Sequence, residues 1–358
     1  AGGGKMRARY RRGLVVGKFS PLHRGHELLI REAFGQCREV VIISYARPEP
    51  AGCRADRRER WLRELFPGAT RLVVTDARLR EWGAPTEGYG EVPADDADET
   101  VHRRFVGFLC WKILGVTIDA VFTSEDYGDG FARELTRYFR ERIPDAPEVG
   151  HVLVDRDRIR IPVSGTRIRA AIHHNRHWLS PRVYASFVRR ICLLGGESSG
   201  KSTLAAALAE HLGTRHVPEY GRELWEERKG DLRFEDMRTI ATVQVAREEE
   251  EAGKACRYLF CDTSPLTTLL YSRHLFHRSD PVVEELADRR YDLTVLCEPD
   301  FRFVQDGTRQ DARFRDTQHA WYVDELTRRG TPWVKVGGSV PERVSAVASH
   351  LEGMKTGD

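Results

Sequence analysis

The residues Gly195-Gly-Glu-Ser-Ser-Gly200-Lys201-Ser202 satisfy the pattern GxxxxGK[ST] at every required position. An apolar run, Ile191-Cys-Leu-Leu194, precedes them, and a helix-forming one, Thr203-Leu-Ala-Ala-Ala-Leu208, follows. This setting constrains the chain strongly. A loop that leaves a buried strand and opens a helix can wrap its backbone N–H groups around a phosphate. Lys201 is then placed to reach the β and γ oxygens, and Ser202 to ligate Mg2+. The phosphate-binding residues expected are Gly195, Gly196, Glu197, Ser198, Ser199, Gly200, Lys201, Ser202 and Thr203.

A second glycine-bearing turn lies near the N-terminus. Gly17-Lys18-Phe19-Ser-Pro-Leu-His23-Arg-Gly25-His26 follows the short apolar run Leu14-Val-Val and opens a helical pattern. Glycine permits close approach to a ligand, and a helix N-terminus supplies unpaired N–H groups and a positive dipole end. His23 and His26 are three residues apart, so two imidazole N–H donors can converge on one polyphosphate. Lysine is scarce, at eight of 57 basic residues, so Lys18 and Lys201 stand out inside their motifs.

Between and beyond these turns the chain alternates strands and helices in two series. The first has strands at 14–17, 39–44, 71–75, 119–123 and 149–154, with helices at 26–34, 56–65, 99–114 and 131–142 between them. The second has strands at 190–194, 215–218, 257–261, 293–297 and 333–336, with a helix at 201–212. Strands spaced by helix-length segments predict an α/β protein of two domains, each a parallel, doubly wound sheet. The expected division is a tag or N-terminal tail at 1–12, a first domain at 13–181 and a second at 182–358. Ala1-Gly-Gly-Gly-Lys5 before Met6 reads as a cloning scar.

Composition narrows the class. With 57 Lys and Arg against 54 Asp and Glu, the formal charge is only +3, too balanced for a dedicated nucleic-acid binder. The longest apolar stretch, Val106 to Phe122, is interrupted by Lys112 and Asp119, so no membrane span is expected. Seven cysteines without a CxxC pair favour free thiols in a reducing cytoplasm over a disulfide framework or a zinc site. The partners expected are small molecules, and a homo-oligomer is admissible.

The first turn resembles the HxGH nucleotidylyltransferase superfamily. Ser164-Gly-Thr166-Arg-Ile-Arg169, roughly 140 residues later, resembles that superfamily's (S/T)xTxIR motif. The resemblance implies ATP contacts by Gly17, Lys18, Phe19, His23, His26, Ser164, Thr166 and Arg169, and an adenosine pocket lined by Thr123-Ser-Glu125. Adenylyl transfer to a phosphomonoester needs no general base, because the attacking oxygen is already largely ionised near neutral pH. Lys18, His26 and Arg169 are therefore expected to align the reactants and neutralise developing charge.

An alcohol acceptor, by contrast, must lose a proton, so a positioned carboxylate is expected beside the second turn. Glu219, in Val217-Pro-Glu219-Tyr220-Gly-Arg222, is the candidate base, with Tyr220 and Arg222 on the acceptor side. Asp262 ends the apolar run Tyr258-Leu-Phe-Cys-Asp262, fits the Walker B position and would hold through water the Mg2+ that Ser202 ligates. Asp306-Gly-Thr-Arg309 with Arg313 and Arg315 reads as an arginine lid.

The order and spacing of these motifs resemble the bifunctional nicotinamide-mononucleotide adenylyltransferase/ribosylnicotinamide kinase family over residues 13 to 350. The resemblance rests also on Glu219-Tyr-Gly-Arg-Glu223, on Asp262-Thr263 with Thr267-Thr268, and on Phe303-Val-Gln-Asp-Gly307. It implies phosphorylation of ribosylnicotinamide by the second domain and adenylylation of the product to NAD by the first, with ATP and Mg2+. Some members carry an N-terminal helix-turn-helix module; barely a dozen residues precede the first strand here, and no DNA binding is expected. The acidic stretch Asp95, Asp96, Asp98, Glu99 falls where part of a pyridine-nucleotide site is expected, and Trp82 is placed to stack on a ring or simply to pack. Two other readings remain open: a transferase–kinase for another nucleoside or phosphorylated alcohol, and a nucleotide-sensing module with little turnover.

Overall fold

The computed structural model describes residues 8–156, 158–302 and 311–355. The chain divides into two compact units, one ending at Ser186 and the other beginning at Phe187. Each is built on five parallel strands.

In the first unit the strands are β1 (Tyr10–Gly17), β2 (Cys37–Ser44), β3 (Thr70–Val73), β4 (Ala120–Thr123) and β5 (Gly150–Leu153). They lie in the order β3-β2-β1-β4-β5, with Leu14 opposite both Val41 and Val121. Strands covered by helices on both faces need continuous apolar sequence, which Val40-Val-Ile-Ile43 provides. Leu14, Ile43 and Val121 are buried in one cluster with Phe105, Phe108, Leu135 and Phe139 from the flanking helices. Each such side chain contributes roughly 1.5–3 kcal/mol when fully buried.

The second unit has β6 (Arg189–Leu194), β7 (Arg215–Val217), β8 (Tyr258–Asp262), β9 (Leu293–Cys297) and β10 (Trp333–Val336). Their order is β10-β9-β6-β8-β7. Ile191, Leu193, Phe260 and Val295 pack there against Leu204 and Leu208 of helix Lys201–His211 and Val347 and Leu351 of helix Val340–Lys355. None of the seven cysteines is in a disulfide, and all but Cys256 are buried. No helix among the described residues is long and apolar enough to cross a membrane.

Two local expectations are corrected. The helix expected over 99–114 is α-helical over Glu99–Phe108 and then widens into a π turn at Leu109–Ile113, where the Leu114 N–H bonds the Leu109 carbonyl at 2.9 Å. The segment left without helix or strand between the expected strand at 71–75 and helix at 99–114 holds helix Asp76–Glu81 and a 3-10 turn at Ala84–Glu87. Trp82 caps the first of these and packs against the core.

The topology positions the sites. β1 and β6 are the central strands, and in each sheet the chain proceeds from the central strand to one side and later to the other. In open α/β sheets, ligands bind in the crevice beyond the strand ends at such a reversal. The turns Gly17–His26 and Gly195–Ser202 both leave these ends.

Candidate functional sites

In the first unit the chain leaves β1 through Lys18 to Leu22 and enters helix Arg24–Gln36 with His23 as its N-cap. His23 Nδ1 accepts from the Gly25 N–H at 3.1 Å, and His26 Nδ1 accepts from the His23 N–H at 3.3 Å. The two rings stack with centroids 3.7 Å apart. Because both Nδ1 atoms accept, each neutral imidazole keeps its proton on Nε2 and has one ring N–H to donate.

Burial, reinforced by the nearby Arg158 cation, lowers the His23 pKa to about 4. Burial, then His23 and Arg158, lowers that of His26 well below its usual value. This corrects one expectation. His26 offers a hydrogen bond and not a positive charge near neutral pH, which leaves Lys18 and Arg169 as the two cations of the expected three. Phe19 is fully buried, its ring edge-to-face with His26 at 5.0 Å, so its side chain supports the histidine and has no exposed surface to offer a ligand.

Ser164 caps helix Gly165–Ala170 by accepting from the Arg167 N–H at 3.3 Å. Arg169 donates to the Ser20 carbonyl and, at 3.3 Å, to Thr166 Oγ1. A Cβ on Gly165 would lie 2.7 Å from the Ser20 carbonyl oxygen, so glycine is what lets the two motifs meet. Between them stands Arg158, which the sequence reading passed over. Its Nη2 pairs with Glu125 Oε1 at 2.7 Å, and its charge acts on both histidines. Thr123, at the end of β4, donates to the Glu125 carbonyl at 2.7 Å and so shapes the Thr123-Ser-Glu125 turn.

The first turn is also braced from below. Ser44 Oγ donates to the Lys18 carbonyl at 3.3 Å and accepts from Arg58 Nη1 at 2.7 Å. Arg58 is fully buried and also bonds the Cys53 carbonyl and Glu49.

In the second unit the loop after β6 opens helix Lys201–His211 through Gly200, at φ +81. Lys201 Nζ bonds the Gly196 carbonyl at 3.0 Å. Ser202 Oγ donates to Asp262 Oδ2 at 2.5 Å. Asp262 Oδ1 is buried without a hydrogen-bond partner among the described residues. One hydroxyl and one carboxylate with an unused buried oxygen fit Mg2+, which takes few protein ligands and completes its shell with water and phosphate oxygens. Among the described residues no cluster of three His, Cys, Asp or Glu could hold a metal ion by itself.

Glu219 follows β7 and is the N-cap of helix Tyr220–Glu227. Burial and the Asp262 charge raise its pKa to about 7, against the opposing pull of Lys201 and Arg222. A carboxylate with this pKa is suited to accept a proton near neutral pH. Glu219 and Arg222 line a cavity of about 260 Å³ that also meets Glu197 and Ser198–Thr203 of the loop. Glu197 Oε1 accepts from Tyr271 OH at 2.8 Å, and the Glu197 N–H bonds Gln318 Oε1 at 2.9 Å. Tyr220 is not on the cavity wall; its ring lies beneath the Arg247 guanidinium at 4.6 Å. Gly196 does not line the cavity either: a Cβ there would sit 2.7 Å from the Arg315 carbonyl oxygen.

The far wall comes from helices: Trp225, Met237, Ile240, Tyr271, Gln318 and Tyr322. Sequence reasoning missed these because an apolar helix residue facing a cavity has the same spacing as one facing the core. Arg313 is exposed at the start of helix Ala312–Arg328. Phe303 to Gly307, with Asp306, and Arg309 lie outside the described residues.

An AAA domain family model matches residues 190–343. The trifunctional NAD biosynthesis/regulator protein NadR of Salmonella typhimurium is 30% identical over 321 residues, 83% of this chain and 71% of that protein. NadR of Escherichia coli is 31% identical over 320 residues, with the same shares. Among solved structures, a NadR protein in complex with NR has a TM-score of 0.61 at 21% identity, over 92% of this chain and 89% of that one. A NadR protein in complex with NAD and AMP-PNP also has a TM-score of 0.61, at 18% identity, over 96% of this chain and 97% of that one. At these identities the structural likeness is one of fold.

Proposed function

This chain belongs to the family of the trifunctional NAD biosynthesis/regulator proteins NadR, and on that premise we propose that it makes NAD in two steps, one in each unit. The second unit phosphorylates the 5′-hydroxyl of ribosylnicotinamide with ATP. The first adenylylates the resulting mononucleotide with a second ATP and releases pyrophosphate. The observation that carries this reading is the contrast between the two turns. A carboxylate whose pKa is pushed up to about 7 stands beside the second, whereas at the first, among the described residues, the imidazoles are neutral and the adjacent carboxylate, Asp95, is engaged by Lys18. An alcohol acceptor needs a base, and an ionised phosphate does not.

In the kinase step Glu219 takes the hydroxyl proton as the 5′ oxygen attacks the γ phosphorus and ADP leaves. Lys201 swings from the Gly196 carbonyl to the β and γ oxygens. Ser202 and Asp262 would hold Mg2+, whose chemistry is to neutralise charge on those oxygens. In the adenylyl step a phosphate oxygen of the mononucleotide attacks the α phosphorus. The Nε2–H groups of His23 and His26 hold the polyphosphate in line, and Lys18 and Arg169 offset its charge. Gly17, Ser164 and Thr166 complete the cradle.

The test is to supply ribosylnicotinamide and Mg-ATP to the intact chain and follow mononucleotide and NAD by chromatography. Both products are expected in sequence. Mononucleotide without NAD would point to another acceptor in the first unit, and neither product would favour nucleotide sensing.

A further inference from the structure

In a loop that wraps phosphate the N–H groups turn inward, so the carbonyls turn outward and need donors of their own. The carbonyl of Ser199 finds one far along the chain: Arg343 Nη1, at 2.6 Å and 144 positions away. Arg343 is fully buried. Its Nε donates to the Gly338 carbonyl at 3.0 Å, and its Nη2 to the Glu298 carbonyl at 3.1 Å and to the Asp300 carboxylate. The other Asp300 oxygen accepts from the Gly338 N–H at 2.6 Å. The face of the guanidinium lies over the Phe301 ring, 4.4 Å from its centroid. That ring in turn abuts the loop, since a Cβ on Gly200 would lie 2.6 Å from it.

One planar fork therefore ties the phosphate loop to the chain leaving β9 and to the chain leaving β10. We propose that Arg343 is a positioning residue for the ATP of the kinase step. The Ser199 carbonyl and the Gly200 N–H belong to one planar trans peptide and point in opposite directions. Holding the carbonyl outward on Arg343 thus aims the Gly200 N–H into the space where the phosphates sit. The preorganisation matters because a peptide free to rotate would have to be ordered when ATP binds. Lysine cannot replace it, because a single ammonium cannot satisfy two carbonyls beyond Ser199 and a carboxylate in one plane.

This inference rests on the kinase reading of the second unit, and the experiment separates the two. Arg343→Lys, Arg343→Met and Asp300→Asn are made in the full chain, and ATP and ribosylnicotinamide are varied independently. In Arg343→Lys the KM for ATP is expected to rise roughly tenfold, the equivalent of one charge-assisted hydrogen bond. The rise is larger in Arg343→Met and smaller in Asp300→Asn, which keeps the arginine and its backbone contacts. The KM for ribosylnicotinamide stays within about twofold, and adenylyl transfer from supplied mononucleotide is unchanged. A lower melting temperature with an unchanged KM for ATP would overturn the proposal and leave Arg343 a purely structural side chain. If Arg343→Met fails to fold, the other two variants decide. If the unmodified chain does not phosphorylate ribosylnicotinamide, the acceptor reading fails by itself. The proposal is then read from the calorimetric affinity for Mg-AMP-PNP, taking the component that Lys201→Ala removes: weakening in Arg343→Lys supports it, and unchanged affinity overturns it.

Discussion

Lys18 Nζ sits 2.8 Å from Asp95 Oδ2, so the lysine of the first turn is held by the acidic stretch expected to form part of a pyridine-nucleotide site. Asp95 is itself held in place. Its Oδ1 accepts from the Arg47 N–H at 3.1 Å, and its own N–H bonds the Arg47 carbonyl at 2.9 Å. On the proposed function, a polyphosphate at this turn competes with the carboxylate for one ammonium group. Asp95→Asn is therefore expected to lower the KM for ATP in adenylyl transfer by roughly two- to fivefold, the size of an exposed ion pair. In a Lys18→Ala background the same change is expected to have no effect, and steady-state kinetics of the four chains closes the cycle.

The kinase step should gain rate as pH rises through about 7, because Glu219 must be ionised to accept a proton and burial holds its pKa there. Glu219→Gln should reduce the kinase rate by about 10²–10⁴-fold and leave adenylyl transfer intact. The same burial makes the ionised carboxylate a cost to folding, since its folded pKa lies above its unfolded one. Stability from this group is present at low pH and lost as pH rises through 7. Glu219→Gln should thus raise the melting temperature more at pH 8 than at pH 5, measured by calorimetry.

The histidine pair predicts the opposite limb. The folded pKa of His23, about 4, lies below its unfolded value, so the neutral pair stabilises the fold above about pH 6.5, and that stability is lost as pH falls towards 4. Adenylyl transfer should accordingly show no imidazole limb between pH 6 and 8. His26→Ala should cost about 10²–10³-fold in adenylyl transfer, the size of a lost transition-state donor, with the kinase rate unchanged. NMR titration of the imidazole resonances checks the ionisation directly.

Arg58 makes a prediction about stability. Its fully buried guanidinium joins Ser44, the Cys53 carbonyl and Glu49 beneath the first turn. Arg58→Met strands these acceptors and should destabilise the first unit by about 2–3 kcal/mol, at the low end for a broken buried pair because Glu49 keeps some contact with water. Urea denaturation reads the loss, and the KM for ATP in adenylyl transfer should rise with it, since Ser44 also holds the Lys18 carbonyl.

Much of this protein was readable from short segments. Strand, turn and helix signals fall within ten to fifteen residues of one another, so Ile191–Leu208 and Leu14–His26 announce two parallel α/β units with a phosphate turn at the head of each. Ser202 and Asp262 were likewise expected together, because each sits at a defined end of a recognisable element. What the packing alone decided is everything that depends on distance along the chain or on exclusion of water. It brought Arg169 to Ser20, Arg343 to Ser199 and Asp95 to Lys18. It also kept His26 neutral and pushed the Glu219 pKa up to about 7. A residue's type and local spacing fix which groups it carries; its charge and its partner are set by the dielectric and the neighbours that folding places around it, and no local pattern encodes those.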